Sequence, residues 1–116
     1  MTVAEAAAKL QGSVVGGEVA TGAAVAGAYV SDLLSDVMAN AQEGDLWVTL
    51  QRHVNIVAVA HLKGLVGIVI VNNRQPETET IARANEERIP LISTSLSAFD
   101  AAGTLYSFGL RGRRTL

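Results

Sequence analysis

The hydrophobic pattern of the chain alternates between short apolar runs and longer segments with helical spacing. Residues 46–50, 66–71 and 91–94 are apolar runs of strand length, and we predict a strand in each. The run 66–71 consists mostly of Val and Ile, which is typical of a strand buried on both faces. Helices are predicted over 2–10, 54–63 and 97–108, and two more are predicted to start at Ser31 and Pro76.

The alternation of strands and helices predicts a parallel sheet with right-handed crossovers and helices on both faces. Glycines divide the segment 12–27 into short runs, and we expect it to add one or two edge strands. The predicted fold class is α/β, a small three-layer α/β/α domain with a mainly parallel sheet of 4–5 strands. We expect residues 1–116 to form a single domain, in which residues 110–116 are a flexible tail.

The apolar stretch 54–71 has polar residues in its middle, among them His61 and Lys63, so we do not expect it to cross a membrane. Its first half is either a helix that ends at Gly64 or a strand that turns there into the next strand. A parallel crossover needs roughly a dozen residues. Because residues 51–64 provide fourteen, we predict the helix.

Side-chain spacing also predicts helix ends and helix faces. Thr2 and Glu5 have the spacing of a capping box, in which each side chain bonds to the other's backbone. Ser31 is expected to cap the helix that follows it. The residues expected on the inward face of the last helix are Phe99, Ala102 and Tyr106.

Composition narrows the classes of function. The 9 basic and 11 acidic residues give a net charge of −2, without the basic excess typical of nucleic-acid binders. The chain has no cysteine, which excludes disulfides and cysteine metal sites, and no carboxylate or histidine motif has metal-ligand spacing. We therefore expect no metal and no cofactor. No secretory pattern follows the first methionine, so we expect a cytoplasmic protein.

Two catalytic possibilities can be weighed from motifs. Residues 17–22 have the glycine frame of a phosphate-binding P-loop, but Ala23 and Ala24 stand where its lysine and hydroxyl residue are needed. We therefore expect no kinase activity from this chain alone. Of the two histidines, His53 is the candidate general base, whereas His61 is expected to be a partly buried structural residue.

Polar side chains follow all three predicted inner strands. In α/β sheets ligands bind outside the carboxyl ends of the strands, near a switch in strand order, and hydroxyls and amides at helix N-termini suit a small anion. The alternative is that these residues only cap the following helices. The candidate ligand-binding residues are Ser31, Thr49, Gln51, His53, Asn72, Asn73, Ser93 and Thr94.

Residues 29–41, YVSDLLSDVMANA, followed by EGDLWVTL at 43–50, resemble the DRTGG-domain family, and the resemblance continues through 51–60, 67–72 and 89–94. It implies a small α/β domain. Such domains occur alone, beside CBS domains in some inorganic pyrophosphatases and within phosphate acetyltransferases, and a similar fold forms the N-terminal half of HPr kinase/phosphorylase.

The name-giving motif of that family is eroded at residues 23–28, where only Gly27 corresponds to it. The resemblance adds Gly27 to the candidate ligand-binding residues. The ATP-binding half of the HPr enzyme has no counterpart in this chain, so the resemblance does not imply a kinase.

The leading hypothesis is a non-catalytic regulatory, ligand-binding and dimerisation module that senses an adenine nucleotide or another small anionic metabolite. As partners we expect a second copy in a homodimer, the small ligand and a partner enzyme, but neither nucleic acid nor membrane. One alternative is a scaffold or accessory subunit of a metabolic or redox complex. Another is an enzyme acting on a phosphorylated or acyl substrate, with His53 as base and Ser31 or Thr49 in support.

Overall fold

A computed structural model describes residues 1–113 and shows a five-stranded sheet between two layers of helices. A short 3-10 turn, Glu18–Ala20, follows the first strand. The helices are α1 (Val3–Lys9), α2 (Leu34–Asn40), α3 (Asn55–Lys63), α4 (Thr78–Glu87) and α5 (Ala98–Ser107). The strands are β1 (Ser13–Gly16), β2 (Gly27–Val30), β3 (Asp45–Thr49), β4 (Gly67–Ile70) and β5 (Leu91–Ser93).

The strand order is β1-β5-β4-β3-β2, in which β1 is antiparallel to β5 and the other four strands are parallel. This confirms the predicted α/β class with its mainly parallel sheet. The glycine-rich segment 12–27 contains β1, which lies at one edge of the sheet. The segment ends at Gly27, where β2 begins at the other edge. The four parallel strands lie in chain order, so there is no switch in strand order among them. Each crossover adds the next parallel strand on the same side of the one before it. Only β1, which is antiparallel to β5, departs from this order.

The sheet is buried on both faces. Helices α2, α3 and α4 cover one face, where Trp47 and Ile68 are fully buried. Helices α1 and α5 cover the other face, where Leu46 and Val69 are fully buried. Burial of each such side chain stabilises the folded state by about 1.5–3 kcal/mol. The two-sided burial explains why the inner strands lack the alternation of apolar and polar residues seen in half-exposed strands.

Two local predictions are confirmed. The segment after β3 is the helix α3, ended by Gly64 at φ 66°, and the alternative strand is wrong. The capping box at the start of α1 forms as expected: the Glu5 N–H donates to Thr2 Oγ1 at 3.1 Å, and the Thr2 N–H donates to Glu5 Oε1 at 3.0 Å. No helix within residues 1–113 is long and apolar enough to span a bilayer.

The start of α2 differs from the prediction. The helix begins at Leu34, and Ser31 lies three residues outside it. The Ser31 N–H bonds to the Val48 carbonyl at 3.2 Å, which prolongs the pairing of β2 with β3. The Ser31 hydroxyl accepts the Leu33 N–H at 3.2 Å, so Ser31 forms a turn instead of capping the helix.

The inward face of α5 also differs. Phe99 and Tyr106 are 85% and 60% exposed, whereas Ala101 and Leu105 are buried against the sheet. Apolar residues occur on both sides of this helix, so their spacing alone did not determine which side is buried.

The C-terminal segment contacts the edge strand β2 as far as Arg113. Leu110 is buried, and the Ala28 N–H donates to the Arg111 carbonyl at 3.1 Å. The Arg113 guanidinium bonds at 2.9 Å to the carboxylate of Asp45, whose side chain is 3% exposed. Of the tail expected to be flexible, residues 114–116 lie outside the described residues.

Candidate functional site

The structure divides the candidate residues into two groups along the end of the sheet where the parallel strands have their carboxyl ends. One group lies at the carboxyl ends of β2 and β3, and a second group lies at the carboxyl ends of β4 and β5. Gly27 is apart from both groups, because it begins β2 beside Asp45 at the opposite end. A Cβ atom at Gly27 would lie 2.7 Å from the Arg113 side chain, so this glycine makes room for the C-terminal segment.

The first group is held together by the carboxylate of Asp32. Asp32 Oδ1 accepts the Thr49 hydroxyl at 3.0 Å and the Leu50 N–H at 2.6 Å. The Gln51 side-chain amide donates to the Asp32 carbonyl at 2.9 Å, and the Gln51 N–H donates to Thr49 Oγ1 at 3.1 Å. We call Ser31, Asp32, Thr49, Leu50 and Gln51 the Asp32 cluster.

The hydrogen bonds of the Asp32 cluster connect the turn after β2 to the turn after β3. Its carboxylate also places a negative charge where an anion was expected to bind, which disfavours an anionic ligand. These contacts give Ser31, Thr49 and Gln51 a structural role within the turns.

The structure corrects the expectation for one of the two histidines, His61. His53 is exposed just before α3, and its Nδ1 accepts the Asn55 N–H at 3.2 Å, a helix-capping contact. His61 is exposed, not partly buried, and its Nδ1 lies 3.2 Å from the Glu87 carboxylate. Within the described part of the chain, no group of three His, Asp or Glu side chains could hold a metal ion.

The second group borders a cavity of about 290 Å³ between β1, the carboxyl end of β5 and the loop after β4. The cavity forms because β1 runs antiparallel to β5, which places Ser13 opposite Ser93. We call this cavity the polar pocket. Its lining residues are Gln11, Ser13, Val15, Asn73, Gln75, Ser93 and Ser95.

The predicted residues of the second group take different roles. Asn73 and Ser93 line the polar pocket. Thr94 points away from it, since its hydroxyl donates to the buried Leu10 carbonyl at 2.8 Å. Asn72 is not among the lining residues, and its N–H donates to the Leu96 carbonyl at 2.8 Å.

Most polar side chains of the polar pocket are open to solvent and are not bonded to other residues within 1–113. The buried Ser93 hydroxyl donates to the Arg74 carbonyl at 3.0 Å and accepts the Gln75 amide at 3.0 Å, which fixes the loop that follows β4. The other polar lining residues are exposed. The lining side chains that hydrogen-bond to no other group within residues 1–113 are Gln11, Ser13, Asn73 and Ser95.

The backbone around the polar pocket is unusual. Gln11, Asn72 and Asn73 have φ values of 52°, 59° and 56°, in the left-handed region that favours glycine. Asn tolerates this region better than most residues, but Gln has no such preference. Gln11 directly follows the C-cap of α1, a position that glycine commonly occupies.

Sequence reasoning missed Gln11, Ser13 and Gln75. The first two line the pocket only because β1 pairs with β5. This pairing joins residues about 80 positions apart, and no local sequence pattern predicts it. Gln75 lies within a post-strand loop, and its polarity alone does not distinguish it from the neighbouring residues. One local signal existed at Gln11, a bulky residue at the end of a helix where glycine is favoured.

Comparisons with known proteins bear on the fold. No family model matches the chain, and no curated protein sequence matches it. Among solved structures, it is similar to the CBS and DRTGG domains of the regulatory region of Clostridium perfringens pyrophosphatase, complexed with the activator diadenosine tetraphosphate. The TM-score is 0.66 at 15% identity, over 98% of this chain and 55% of that chain. The chain thus spans about half of that structure and shares a fold with it.

Proposed function

We propose that the chain is a regulatory module that binds a small metabolite in the polar pocket, and that it is a diverged DRTGG domain. The observation that carries the proposal is the set of polar side chains that face the cavity without partners among residues 1–113. Support for the family comes from the residues quoted in the sequence analysis and from the shared fold. Support for a regulatory role comes from the regulatory region that has this fold.

The ligand that we propose is an adenine nucleotide or another small anionic metabolite. The regulatory region with the shared fold was solved with an adenine dinucleotide activator. A positive charge adjoins the pocket, because Arg52 Nε donates to the Gln75 carbonyl at 2.5 Å. A cavity of about 290 Å³ is at the lower limit of small-molecule sites, which span roughly 300–1,000 Å³. It therefore suits one nucleoside unit at a time.

We also propose that the protein acts in the cytoplasm as a homodimer that regulates a partner enzyme. Leu33, which directly precedes α2, and Met38 within α2 are exposed apolar side chains. Exposed apolar side chains of this size are candidates for an interaction surface. Sedimentation velocity at micromolar concentration should show a dimer that Leu33→Glu converts to monomer. A monomeric wild-type chain would contradict the dimer and leave the ligand proposal standing.

The ligand proposal is tested by thermal unfolding of the full chain with AMP, ADP and ATP. A ligand at about 100 times its Kd should raise the free energy of unfolding by about 2.7 kcal/mol. The double variant Ser13→Ala, Ser95→Ala should lose most of this shift, because both hydroxyls line the pocket. Ser35→Ala, an exposed serine on α2 outside the pocket, should keep it.

Two results would contradict the proposal. One is that no nucleotide or other small metabolite in a broader screen stabilises the chain. The other is that the Ser13, Ser95 double variant responds as strongly as the wild type, which would place the ligand elsewhere.

A further inference from the structure

The lining of the polar pocket is polar but uncharged. Its side chains comprise three carboxamides, three hydroxyls and the apolar Val15, with no Asp, Glu, Lys or Arg among the lining residues in the described part of the chain. Two arginines adjoin the pocket through backbone contacts and are not themselves part of the lining: Arg52 donates to the Gln75 carbonyl, and the Arg74 carbonyl accepts the Ser93 hydroxyl.

An uncharged lining of this kind discriminates between the parts of a nucleotide. Phosphate groups are bound in proteins chiefly by Arg, Lys and the N–H groups of helix N-termini. A carboxamide instead offers a donor and an acceptor on neighbouring atoms, which matches the adjacent donor and acceptor on the edge of a nucleobase. Sugar hydroxyls, each both donor and acceptor, can be bound in the same way.

Two of the three carboxamides occupy backbone positions where glycine would be less strained. Gln11 and Asn73 have φ values of 52° and 56°. A left-handed conformation is unfavourable for an L-residue other than glycine, so both residues occupy these positions at an energetic cost. Strain of this type concentrates at binding sites, where the residue is retained for its contacts with a ligand.

We propose that the polar pocket recognises the uncharged nucleoside part of the ligand through the amides of Gln11 and Asn73, while phosphate groups add little affinity. This inference rests on the proposed function and specifies which part of the ligand the pocket binds. The shared chemistry is an uncharged group with adjacent donors and acceptors, supplied either by the base or by the ribose.

Calorimetric titration of the full chain with adenosine, AMP and ATP tests the inference. The three Kd values should agree within about threefold, and each should change by less than about threefold between about 50 and 300 mM salt, because salt screens exposed charge pairs but not neutral hydrogen bonds. Competition by adenine alone would assign recognition to the base, and competition by ribose alone would assign it to the sugar; either result supports the inference.

Glycine variants separate the side chain from the backbone conformation. Asn73→Gly and Gln11→Gly permit the left-handed conformation and remove only the amide, so the fold should persist while the Kd for adenosine rises about tenfold in each, the loss of about one good hydrogen bond. Arg88→Gly is the matched control, since Arg88 has φ 57° at the end of α4 and lies outside the pocket. Its Kd should equal that of the wild type.

The possible failures are distinguishable. One failure is that ATP binds with an affinity that falls steeply with salt while adenosine does not bind. The pocket would then bind the phosphate groups, so the inference would be wrong and the proposed function would stand. Unchanged Kd values in both glycine variants would also overturn the inference. If Asn73→Gly fails to fold by circular dichroism, Asn73→Asp, which retains the shape of Asn, should weaken adenosine binding to a similar degree. If no metabolite binds at all, the proposed function and the inference fall together.

Discussion

The Asp32 cluster and the polar pocket are built from the same residue types and lie at the same end of parallel strands, but their hydrogen bonding differs. In the Asp32 cluster, the carboxylate and the side chains of Thr49 and Gln51 bond to neighbouring groups. In the polar pocket, Gln11 and Asn73 have no side-chain partner within residues 1–113. A polar residue after a strand is therefore structural when its side chain bonds to neighbouring groups of the protein. It is available to a ligand when its side chain has no such bond.

The difference follows from the neighbouring strand. The Asp32 cluster lies between two parallel strands, whose following turns meet and bond to each other. The polar pocket lies where β1 enters antiparallel, so the end of α1 and the start of β1 face a post-strand loop across a gap. The change in strand direction leaves a cavity that the parallel part of the sheet closes.

Removal of the Asp32 carboxylate should have the largest effect. Asp32→Ala deprives the buried Thr49 hydroxyl and the Leu50 N–H of their acceptor, and hydrogen bonds to charged groups contribute about 1.5–3 kcal/mol. We expect urea unfolding to show a loss of about 2 kcal/mol, with a smaller loss for Asp32→Asn, which keeps one acceptor oxygen. The Kd of any pocket ligand should not change in the folded variant; if it did, the two regions would not be independent.

A smaller loss is expected from Thr49→Val, which keeps the side-chain shape and removes the hydroxyl that donates to Asp32. Thr49→Val removes only one of the two bonds to the exposed Asp32 carboxylate, so we expect a loss of about 1 kcal/mol in the free energy of unfolding, roughly half of that for Asp32→Ala. Thr104→Val on α5 is the matched control, since the Thr104 side chain forms no hydrogen bond within residues 1–113. Its stability should be within about 0.5 kcal/mol of the wild type. Equal losses in the two variants would contradict the structural role of the cluster.

In the polar pocket, we expect a substitution that raises the free energy of unfolding. Gln11→Gly should stabilise the chain by about 0.5–1 kcal/mol in urea unfolding, because it relieves the left-handed conformation at φ 52°. Gln11→Ala keeps the strain and should leave the stability close to that of the wild type. Destabilisation by Gln11→Gly would show that the amide has a structural role, which would remove the distinction between the two regions.

The smallest effect is expected at the exposed capping box of α1, where a single pKa is measured. Hydrogen bonds from the Thr2 backbone and hydroxyl lower the pKa of Glu5 from its ordinary value of 4.5. A lowered folded-state pKa means that the contribution of Glu5 to stability is complete above pH 4.5 and is lost as the pH falls through the folded value. An NMR titration should give a midpoint below 4.5. Thr2→Ala should move this midpoint part of the way back up, since alanine keeps the backbone donor; an unmoved midpoint would contradict the contribution of the hydroxyl.

The sequence was sufficient for the elements whose patterns are local. Continuous Val and Ile in residues 66–71 predicted a buried strand, and the spacing of Thr2 and Glu5 predicted a cap that forms. The helix between β3 and β4 followed from the length that a parallel crossover requires. Each of these depends on residues close together in the chain.

The remaining features depend on contacts that only the tertiary structure establishes. Ser31 has the side chain of a helix cap, but pairing of its backbone with Val48 keeps it in a turn. Phe99 fits an apolar helix face that α5 leaves exposed. Of the candidate site, Asn73 and Ser93 were predicted as ligand-binding residues and line the cavity, whereas the contribution of Gln11 required knowledge of the partner of β1.

The path of the C-terminal segment has a practical consequence for assays. Arg113 ends beside Gly27 and Asp45, at the amino ends of the parallel strands and on the far edge of the sheet from β1. A fluorescent label or an immobilisation tether attached beside Arg113 would therefore start from the side opposite the cavity. Binding could be recorded on a tethered or labelled chain without the attachment blocking the entry of the ligand.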